Sequence, residues 1–251
     1  MPLDNKELER YSPQTVLPEI GIEGQEKLKQ ASVLCIGVGG LGSPLCLYLA
    51  AAGIGTLGIV DDDQVALSNL QRQILYKETD AGALKVKSAA THLQALNSQC
   101  EIRQHPTFLS SENAVSIIQD YDIVVDCSDN FMTRYIVNDA CSALNKPNVF
   151  AAILQFKGYC TVFPGKSGPC YRCWFDESPR QPFMTCAESG ILGTVAGLLG
   201  VWQANEVIKL ILGIGRSLTG RVMILDALNG ESRLISLLPR SDCLICNPSF
   251  S

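Results

Sequence analysis

A glycine-rich turn between a strand and a helix limits most strongly what this chain can fold into. Residues 32–36 form a short apolar run, and residues 37–42 then follow the spacing Gly-x-Gly-x-x-Gly. From Leu41 onward, leucines recur at every fourth position, which is typical of one helix face. Gly37 permits a tight turn, and Gly39 lets the backbone approach a phosphate near the helix N-terminus. The segment predicts a strand, a phosphate-binding loop and a helix.

Strands and helices continue to alternate after this loop. The apolar patterns predict strands at 56–60, 102–104, 122–126 and 148–152, helices at 83–95 and 132–144, and a short helix at 24–29 in an N-terminal arm. Such alternation is typical of an α/β fold with a Rossmann-like, doubly wound, largely parallel sheet. Ligands in these sheets bind beyond the carboxyl ends of the strands.

The pattern changes after Gln155. Strands are expected at 158–163 and 221–227, and Asn229-Gly230 predicts a hairpin to a strand at 232–237. A long helix at 190–212 is expected in the core or in a dimer interface. We therefore expect antiparallel strands to extend the sheet. One domain over 1–251 would comprise an arm (1–30), a nucleotide-binding half (31–155) and a second half (156–251).

Polar residues follow the predicted strands where a nucleotide would lie. Asp61, about twenty residues beyond the glycine loop, is suited to accept hydrogen bonds from a ribose. The same features suit a nicotinamide-dependent dehydrogenase, so the loop alone leaves both classes open. Arg72 and Lys85 favour a triphosphate, because a guanidinium and an ammonium can hold its oxygens. The alternative for each is a solvated surface residue.

Asp129 follows the predicted strand at 122–126. A carboxylate beside a triphosphate is what Mg²⁺ requires, since this ion prefers one or two carboxylates together with phosphate oxygens. The alternative is that Asp129 or Asn130 caps the next helix. The two roles are compatible.

Two CxxC pairs stand in the second half of the chain. Four thiolates suit a tetrahedral structural zinc site, which would tie the end of the chain to the region before a Pro-rich stretch. The alternative is one or two redox pairs. The expected ligands are Cys170, Cys173, Cys243 and Cys246.

Cys186 stands at an apparent helix start. Thr185 and Glu188 fit a capping box, which places Cys186 at the first helical position, where the helix dipole lowers a thiol pKa. A nucleophilic or persulfide-forming thiol is one interpretation. A passive cysteine at a helix start is the other.

Composition excludes several classes of function. The net charge of −5 disfavours a nucleic-acid-binding surface, which is normally basic. The N-terminus lacks the order of a signal peptide, and the apolar stretch at 191–204 is too short and too rich in glycine for a good membrane span. We expect a cytoplasmic protein without a nucleic-acid or membrane partner.

Taken together, these residues resemble the MoeB/ThiF/HesA family of ubiquitin-activating-enzyme-like adenylyltransferases, over nearly the whole chain. The resemblance implies ATP, Mg²⁺, structural zinc, a homodimer and a small ubiquitin-fold sulfur carrier ending in Gly-Gly. It covers molybdopterin-synthase and ThiS adenylyltransferases and does not separate the molybdopterin from the thiamine pathway. The residues it assigns to the nucleotide, with those of the motifs above, are Gly37, Gly39, Gly40, Asp61, Asp63, Ser68, Asn69, Leu70, Gln71, Arg72, Lys85, Asp129, Asn130 and Arg134.

The resemblance also implies a mechanism. The carrier's terminal carboxylate would attack the α-phosphate of ATP, with Arg72 and Lys85 holding phosphates and Asp129 placing Mg²⁺. Cys186 matches a cysteine of the family's crossover loop and would take part in the later thiolation.

The chain departs from the family near its start. The family usually reads Arg-Tyr-x-Arg-Gln, and its second arginine reaches the ATP of the partner subunit. Here Pro13 takes that place, so Arg10 could substitute in trans or the activity could be weak. A catalytically weak carrier-binding scaffold is therefore an alternative. Longer family members carry a rhodanese domain, which we do not expect here, so the sulfur donor would be a separate protein.

Overall fold

The glycine loop begins where the first strand of an eight-stranded sheet ends. The computed structural model describes residues 2–166, 168–175 and 190–246. Within these ranges the strands are β1 (Ser32–Ile36), β2 (Thr56–Val60), β3 (Glu101–His105), β4 (Ile123–Asp126), β5 (Asn148–Leu154), β6 (Lys157–Phe163), β7 (Arg221–Asp226) and β8 (Glu231–Ser236). Their spatial order is β3-β2-β1-β4-β5-β6-β7-β8.

The first five strands are parallel, and the last three join antiparallel. This arrangement confirms the predicted largely parallel sheet with an antiparallel extension. The helices of the described ranges are α1 (Asn5–Arg10), α2 (Ser12–Thr15), α3 (Gly21–Gln30), α4 (Gly42–Ala52), α5 (Lys85–Leu96), α6 (Ala114–Ile118), α7 (Phe131–Leu144), α8 (Tyr171–Trp174) and α9 (Gly193–Leu212).

Both faces of the parallel sheet are covered by helices. Helices α4, α5 and α9 pack on one face, with α3 against α9, and enclose the largest apolar cluster. Helices α6 and α7 cover a second cluster on the other face. An aromatic cluster around Phe150 and Tyr171 continues that layer beneath α8. The sheet is therefore doubly wound, as its alternating sequence pattern predicts.

The N-terminal arm contains more helix than the sequence pattern indicated. The short helix expected at 24–29 extends over Gly21–Gln30, and α1 and α2 precede it. A capping box begins α1: the Asp4 carboxylate accepts from the Glu7 amide, and Glu7 in turn accepts from the Asp4 amide, both at 2.8 Å. Glu7 is buried and pairs with Lys29 of α3 at 2.7 Å. This tertiary contact, which a local pattern cannot reveal, fixes the arm.

Helix α9 connects the two halves of the sheet. Its 20 residues are long and apolar enough to cross a membrane by length and composition alone, yet half of it is buried in this fold. Gly200 permits close packing, because a Cβ there would lie 2.3 Å from the Leu41 carbonyl oxygen. Fully buried Gln203 donates from Nε2 to the carbonyls of Asp126 (3.0 Å) and Val149 (3.1 Å). These contacts are those of a core helix.

The turn of the glycine loop has a testable steric requirement. A Cβ at Gly42 would lie 2.2 Å from the Gly37 carbonyl oxygen, whereas one at Gly197, inside α9, would meet nothing within 4 Å. We expect Gly42→Ala to lower the free energy of unfolding by about 1–3 kcal/mol through overpacking. The control Gly197→Ala should be neutral or raise it by about 0.5–1 kcal/mol. Urea unfolding measures both, and an unchanged Gly42→Ala variant would contradict this packing.

Candidate functional site

An open cleft lies at the carboxyl ends of the parallel strands. It is lined by residues from the glycine loop, the segment after β2, the start of α5 and the loop after β4. Of the residues predicted from the sequence, those that line it are Gly37, Gly39, Gly40, Asp61, Asp63, Arg72, Lys85, Asp129, Asn130 and Arg134. The strand-end rule that motivated these predictions therefore brings most of them to one place.

The glycine loop presents its backbone to this cleft. Gly37 has a positive φ of 86°, and a Cβ there would lie 3.0 Å from the Cys127 carbonyl oxygen. A Cβ at Gly39 would meet only the Gln73 side-chain amide, at 3.6 Å. The turn therefore requires glycine at Gly37, while Gly39 leaves backbone open for a ligand at the N-terminus of α4.

Asp61 is a buried carboxylate that braces the glycine loop. It accepts hydrogen bonds from the amides of Val38 (2.8 Å) and Asp63 (3.0 Å). Burial raises its pKa above the ordinary value, and the nearby Lys85 ammonium opposes that rise. Each carboxylate oxygen receives one of these bonds, so each retains a lone pair that can accept from a ribose hydroxyl.

Lys85 holds a nearly buried positive charge at the edge of the cleft. Its side chain is 7% exposed, and Nζ lies 2.7 Å from Asp63 and 3.8 Å from Asp61. Arg72 is half-buried and donates from Nη1 to the Ser68 carbonyl at 3.3 Å. Two cations thus border the cleft on the side of the glycine loop, where they can neutralise phosphate oxygens.

In the loop after β4, Asn130 has the helix-capping role and Asp129 is the candidate metal ligand. Asn130 caps α7, since its Oδ1 accepts from the Thr133 amide at 2.9 Å. Asp129 is exposed, and within the described ranges its carboxylate has no hydrogen bond or ion pair. Its oxygens are therefore available to a cation at the mouth of the cleft.

Arg134 lies under this loop and is largely buried. Its Nη2 donates to the Ser128 carbonyl at 3.1 Å, and its guanidinium lies over the rings of Phe131 and Phe150. Burial raises the pKa of Asp126, and the positive charge of Arg134 opposes that rise. Arg134 thus contacts the cleft wall and the loop together.

Some predicted nucleotide contacts do not line the cleft. Leu67–Asn69 form a short 3₁₀ turn, and of the predicted residues 68–72 only Arg72 lines the cleft. The four that do not line it are Ser68, Asn69, Leu70 and Gln71. Arg10, expected to act in trans, donates to the Leu96 carbonyl at the end of α5 at 3.2 Å. Cys186 lies outside the described residues.

An apolar wall of the cleft was missed by the sequence reasoning. Phe108 and Leu109 follow β3, Ile153 lies near the end of β5, and Ile191 forms a bridge with Gln155. Phe108 is about half exposed, which leaves a flat ring available to a ligand. The strand-end rule, applied to the strand predicted at 102–104, could have found Phe108 and Leu109.

The four predicted cysteine ligands converge on one buried cluster. Their sulfur atoms all lie within 4.8 Å of one another, with Cys170 at 3.6 Å from Cys243 and Cys173 at 3.3 Å from Cys246. Tetrahedral zinc with bonds of about 2.3 Å requires sulfur separations of about 3.8 Å. The Arg240 amide also donates to Cys173 Sγ, as amides commonly do toward metal-bound thiolates. The residues present therefore fit a four-thiolate metal site.

Comparison with known proteins agrees with this arrangement. A family model described as the ThiF family matches residues 11–245. The chain is 49% identical to the adenylyltransferase and sulfurtransferase MOCS3 of Culex quinquefasciatus, covering 99% of this chain and 58% of that protein. It is 46% identical to the sulfur carrier protein adenylyltransferase of Thermus thermophilus, covering 96% of this chain and 91% of that protein. The chain spans little more than half the length of the MOCS3 relatives.

Solved structures share the fold. The crystal structure of E. coli MccB with MccA-N7isoASN has a TM-score of 0.85 at 22% identity, covering 97% of this chain and 76% of that chain. The crystal structure of PaaA has a TM-score of 0.80 at 23% identity, covering 95% of this chain and 76% of that one. At this identity the likeness concerns the fold, and it confirms the predicted fold class.

The Lys85–Asp61 ion pair predicts the direction in which the pKa of Asp61 changes when Lys85 is replaced. Lys85→Met removes the charge that opposes burial, so the pKa of Asp61 should rise further above 3.8. The folded carboxyl then binds its proton more tightly than the unfolded one. The variant should therefore lose more stability than the parent as pH rises from the unfolded toward the folded pKa.

Carbon NMR titration of the Asp61 carboxyl measures this pKa. Lys87→Met is the matched control, because Lys87 lies on the same helix and is exposed. An Asp61 pKa that is equal in the parent and in Lys85→Met would refute the coupling.

Proposed function

The chain belongs to the ThiF family, and on that premise we propose that it adenylates the C-terminal Gly-Gly carboxylate of a small ubiquitin-fold sulfur-carrier protein. ATP and the carrier carboxylate are the substrates, and an acyl-adenylate and pyrophosphate are the products. The observation that carries the proposal is the cleft itself. It joins a phosphate-type glycine loop, two cations and a carboxylate that has no partner among the described residues.

Charge placement supports adenylation over hydride transfer. A triphosphate carries several negative charges, and Lys85 and Arg72 border the cleft on the side of the glycine loop. A nicotinamide dehydrogenase needs neither cation at that position. The dehydrogenase alternative is therefore not favoured.

In the proposed reaction, a carboxylate oxygen of the carrier attacks the α-phosphorus, and the bond to the bridging oxygen of pyrophosphate breaks. A free α-carboxyl group has a pKa of about 3.5, so the nucleophile is already ionised and needs no general base. Catalysis then consists of positioning and charge neutralisation. Arg72 and Lys85 would hold phosphate oxygens, and Asp61 would accept from the ribose.

Asp129 would hold Mg²⁺ beside the phosphates. Asp129 suits this role because its carboxylate is exposed and has no partner among the described residues. It also lines a cleft that is bordered by cations. When bound, the ion supplies further neutralisation of the phosphate charge. Arg134 and Asn130 contribute by shaping the loop that carries Asp129.

The remaining parts of the proposal concern assembly and context. We propose zinc at the four cysteines, a homodimer, a separate protein as sulfur donor and a cytoplasmic location. None of the ten cysteines in the described ranges forms a disulfide, a pattern typical of a reducing compartment. The carrier would serve molybdopterin or thiamine biosynthesis, and the choice between these belongs to the identity of the carrier.

A non-catalytic carrier-binding scaffold is the second candidate, and one observation favours it. Pro13 lies exposed in the first turn of α2, where the family usually has an arginine for the partner's ATP. Arg10 is already bonded to the end of α5. Such a scaffold would bind the carrier without consuming ATP, so pyrophosphate exchange separates the two candidates.

Replacement of Asp129 tests the proposed chemistry. We expect Asp129→Ala to reduce carrier-dependent ATP–pyrophosphate exchange by about 10²-fold or more, because the metal loses its protein ligand. Asp120→Ala, which removes an exposed carboxylate after α6, is the matched control and should exchange like the parent.

Two outcomes would contradict the proposal. Full exchange by Asp129→Ala would show that Asp129 is not the metal ligand. Absence of exchange by the folded parent with every Gly-Gly carrier offered would favour the scaffold.

The cysteine cluster makes a separate prediction. Purified protein should contain about one zinc per chain by elemental analysis, and Cys246→Ser should lose most of it together with thermal stability. Cys100→Ser, at a buried thiol outside the cluster, should keep its zinc. A parent chain without zinc and with normal melting would refute the structural metal site.

A further inference from the structure

Ser128 is held from both sides within the loop after β4. Asp126 Oδ1 accepts from the Ser128 amide (3.0 Å) and from its hydroxyl (2.6 Å). Arg134 Nη2 donates to the Ser128 carbonyl (3.1 Å). Every polar group of Ser128 is therefore bonded. The two side chains that hold it are 0% and 9% exposed, so water competes little for these bonds.

The ends of the same loop are fixed as well. Gln203 of α9 donates to the Asp126 carbonyl at 3.0 Å, which anchors the start. Asn130 accepts from the Thr133 amide at 2.9 Å, which anchors the end on α7. The Cys127 carbonyl packs against Gly37, where a Cβ would lie only 3.0 Å away. The backbone on both sides of Asp129 is thus held by named contacts.

Asp129 is the exception in this loop. It is exposed, and its carboxylate has no bond within the described ranges, although the side chains of both of its neighbours are hydrogen-bonded. A rigid backbone beneath a free carboxylate is what a Mg²⁺ ligand needs, because this ion demands near-ideal octahedral geometry. Groups behind a metal ligand commonly change metal affinity by about 10–100-fold.

We propose that Ser128 is a positioning residue for Asp129, and that Asp126 and Arg134 clamp it so that the Asp129 carboxylate meets the metal in the correct orientation. The inference rests on the proposed function of Asp129 as the Mg²⁺ ligand. Ser128 itself contacts neither metal nor nucleotide in this account. Its hydroxyl acts only through the backbone that it fixes.

Metal binding tests the clamp without requiring turnover. Mn²⁺ binding to the protein with a non-hydrolysable ATP analogue is measured by electron paramagnetic resonance. Ser128→Ala, which removes the hydroxyl bond to Asp126 Oδ1 and keeps the amide bond, should weaken Mn²⁺ binding about tenfold. Ser128→Thr keeps the hydroxyl and should recover most of the loss.

Ser142→Ala is the matched control. Ser142 lies at the far end of α7 and is equally buried, and its hydroxyl donates to the Ile245 carbonyl at 3.2 Å. This variant loses one buried serine bond and should bind Mn²⁺ like the parent. If Ser128→Ala fails to fold, Arg134→Lys supplies the same test, because lysine keeps the charge and lacks the planar fork that reaches Ser128.

The possible results distinguish failure of the proposed Ser128 clamp from failure of the proposed adenylation. Parent-like Mn²⁺ binding by Ser128→Ala, or a Ser128→Thr variant as weak as Ser128→Ala, would overturn the clamp. If the parent binds metal with the nucleotide analogue but never exchanges pyrophosphate, the proposed adenylation is refuted. The metal-binding comparison still tests the clamp in that case. A parent that binds no metal with the analogue overturns both.

Discussion

The lack of a side chain at Gly37 allows the glycine loop and the loop after β4 to touch. Strand register sets this contact, because Ile36 of β1 pairs with Val60 of β2 on one side and with Asp126 of β4 on the other. The three strands therefore end at the same level, and the glycine loop, Asp61 and the loop bearing Asp129 begin side by side. The phosphate, ribose and metal roles that we propose depend on this alignment, which a Cβ at Gly37 would disturb.

Residues of the helices after β4 stabilise the carboxyl ends of these strands. Gln203 of α9 donates to the carbonyls at the end of β4 and within β5, so the long helix is bonded to the start of the loop that carries Asp129. Arg134 adds a buried positive charge near Asp126 and binds the Ser128 carbonyl. Exposed Asp129, in the loop after β4, and nearly buried Lys85, at the start of α5, both line one cleft. Polar groups that are fixed before a ligand arrives need little reorganisation, which is the basis of electrostatic catalysis.

Strand-end chemistry was readable from the sequence because it depends only on where apolar runs stop. The glycine loop, Asp61 and Asp129 were predicted that way, and the structure brings them to one cleft. The two CxxC pairs were predicted from their motif, and the structure brings them to one cysteine cluster. What could not be read depends on tertiary contacts. After the 3₁₀ turn Leu67–Asn69 the chain brings Arg72 to the cleft while residues 68–71 do not line it, and buried Glu7 draws α1 onto α3. Phe108 was missed although its strand was predicted, since an apolar side chain carries no chemical motif.

The most direct test of the account is the intact mass of a Gly-Gly carrier after incubation with this protein, ATP and Mg²⁺. Adenylation predicts a carrier whose mass rises by one AMP less water, and a carrier lacking its terminal glycine should not change. Hydroxylamine should displace AMP and leave the carrier hydroxamate, because an acyl-adenylate is a mixed anhydride. An unmodified carrier in the presence of folded protein, or an AMP adduct that resists hydroxylamine, would contradict the central claim.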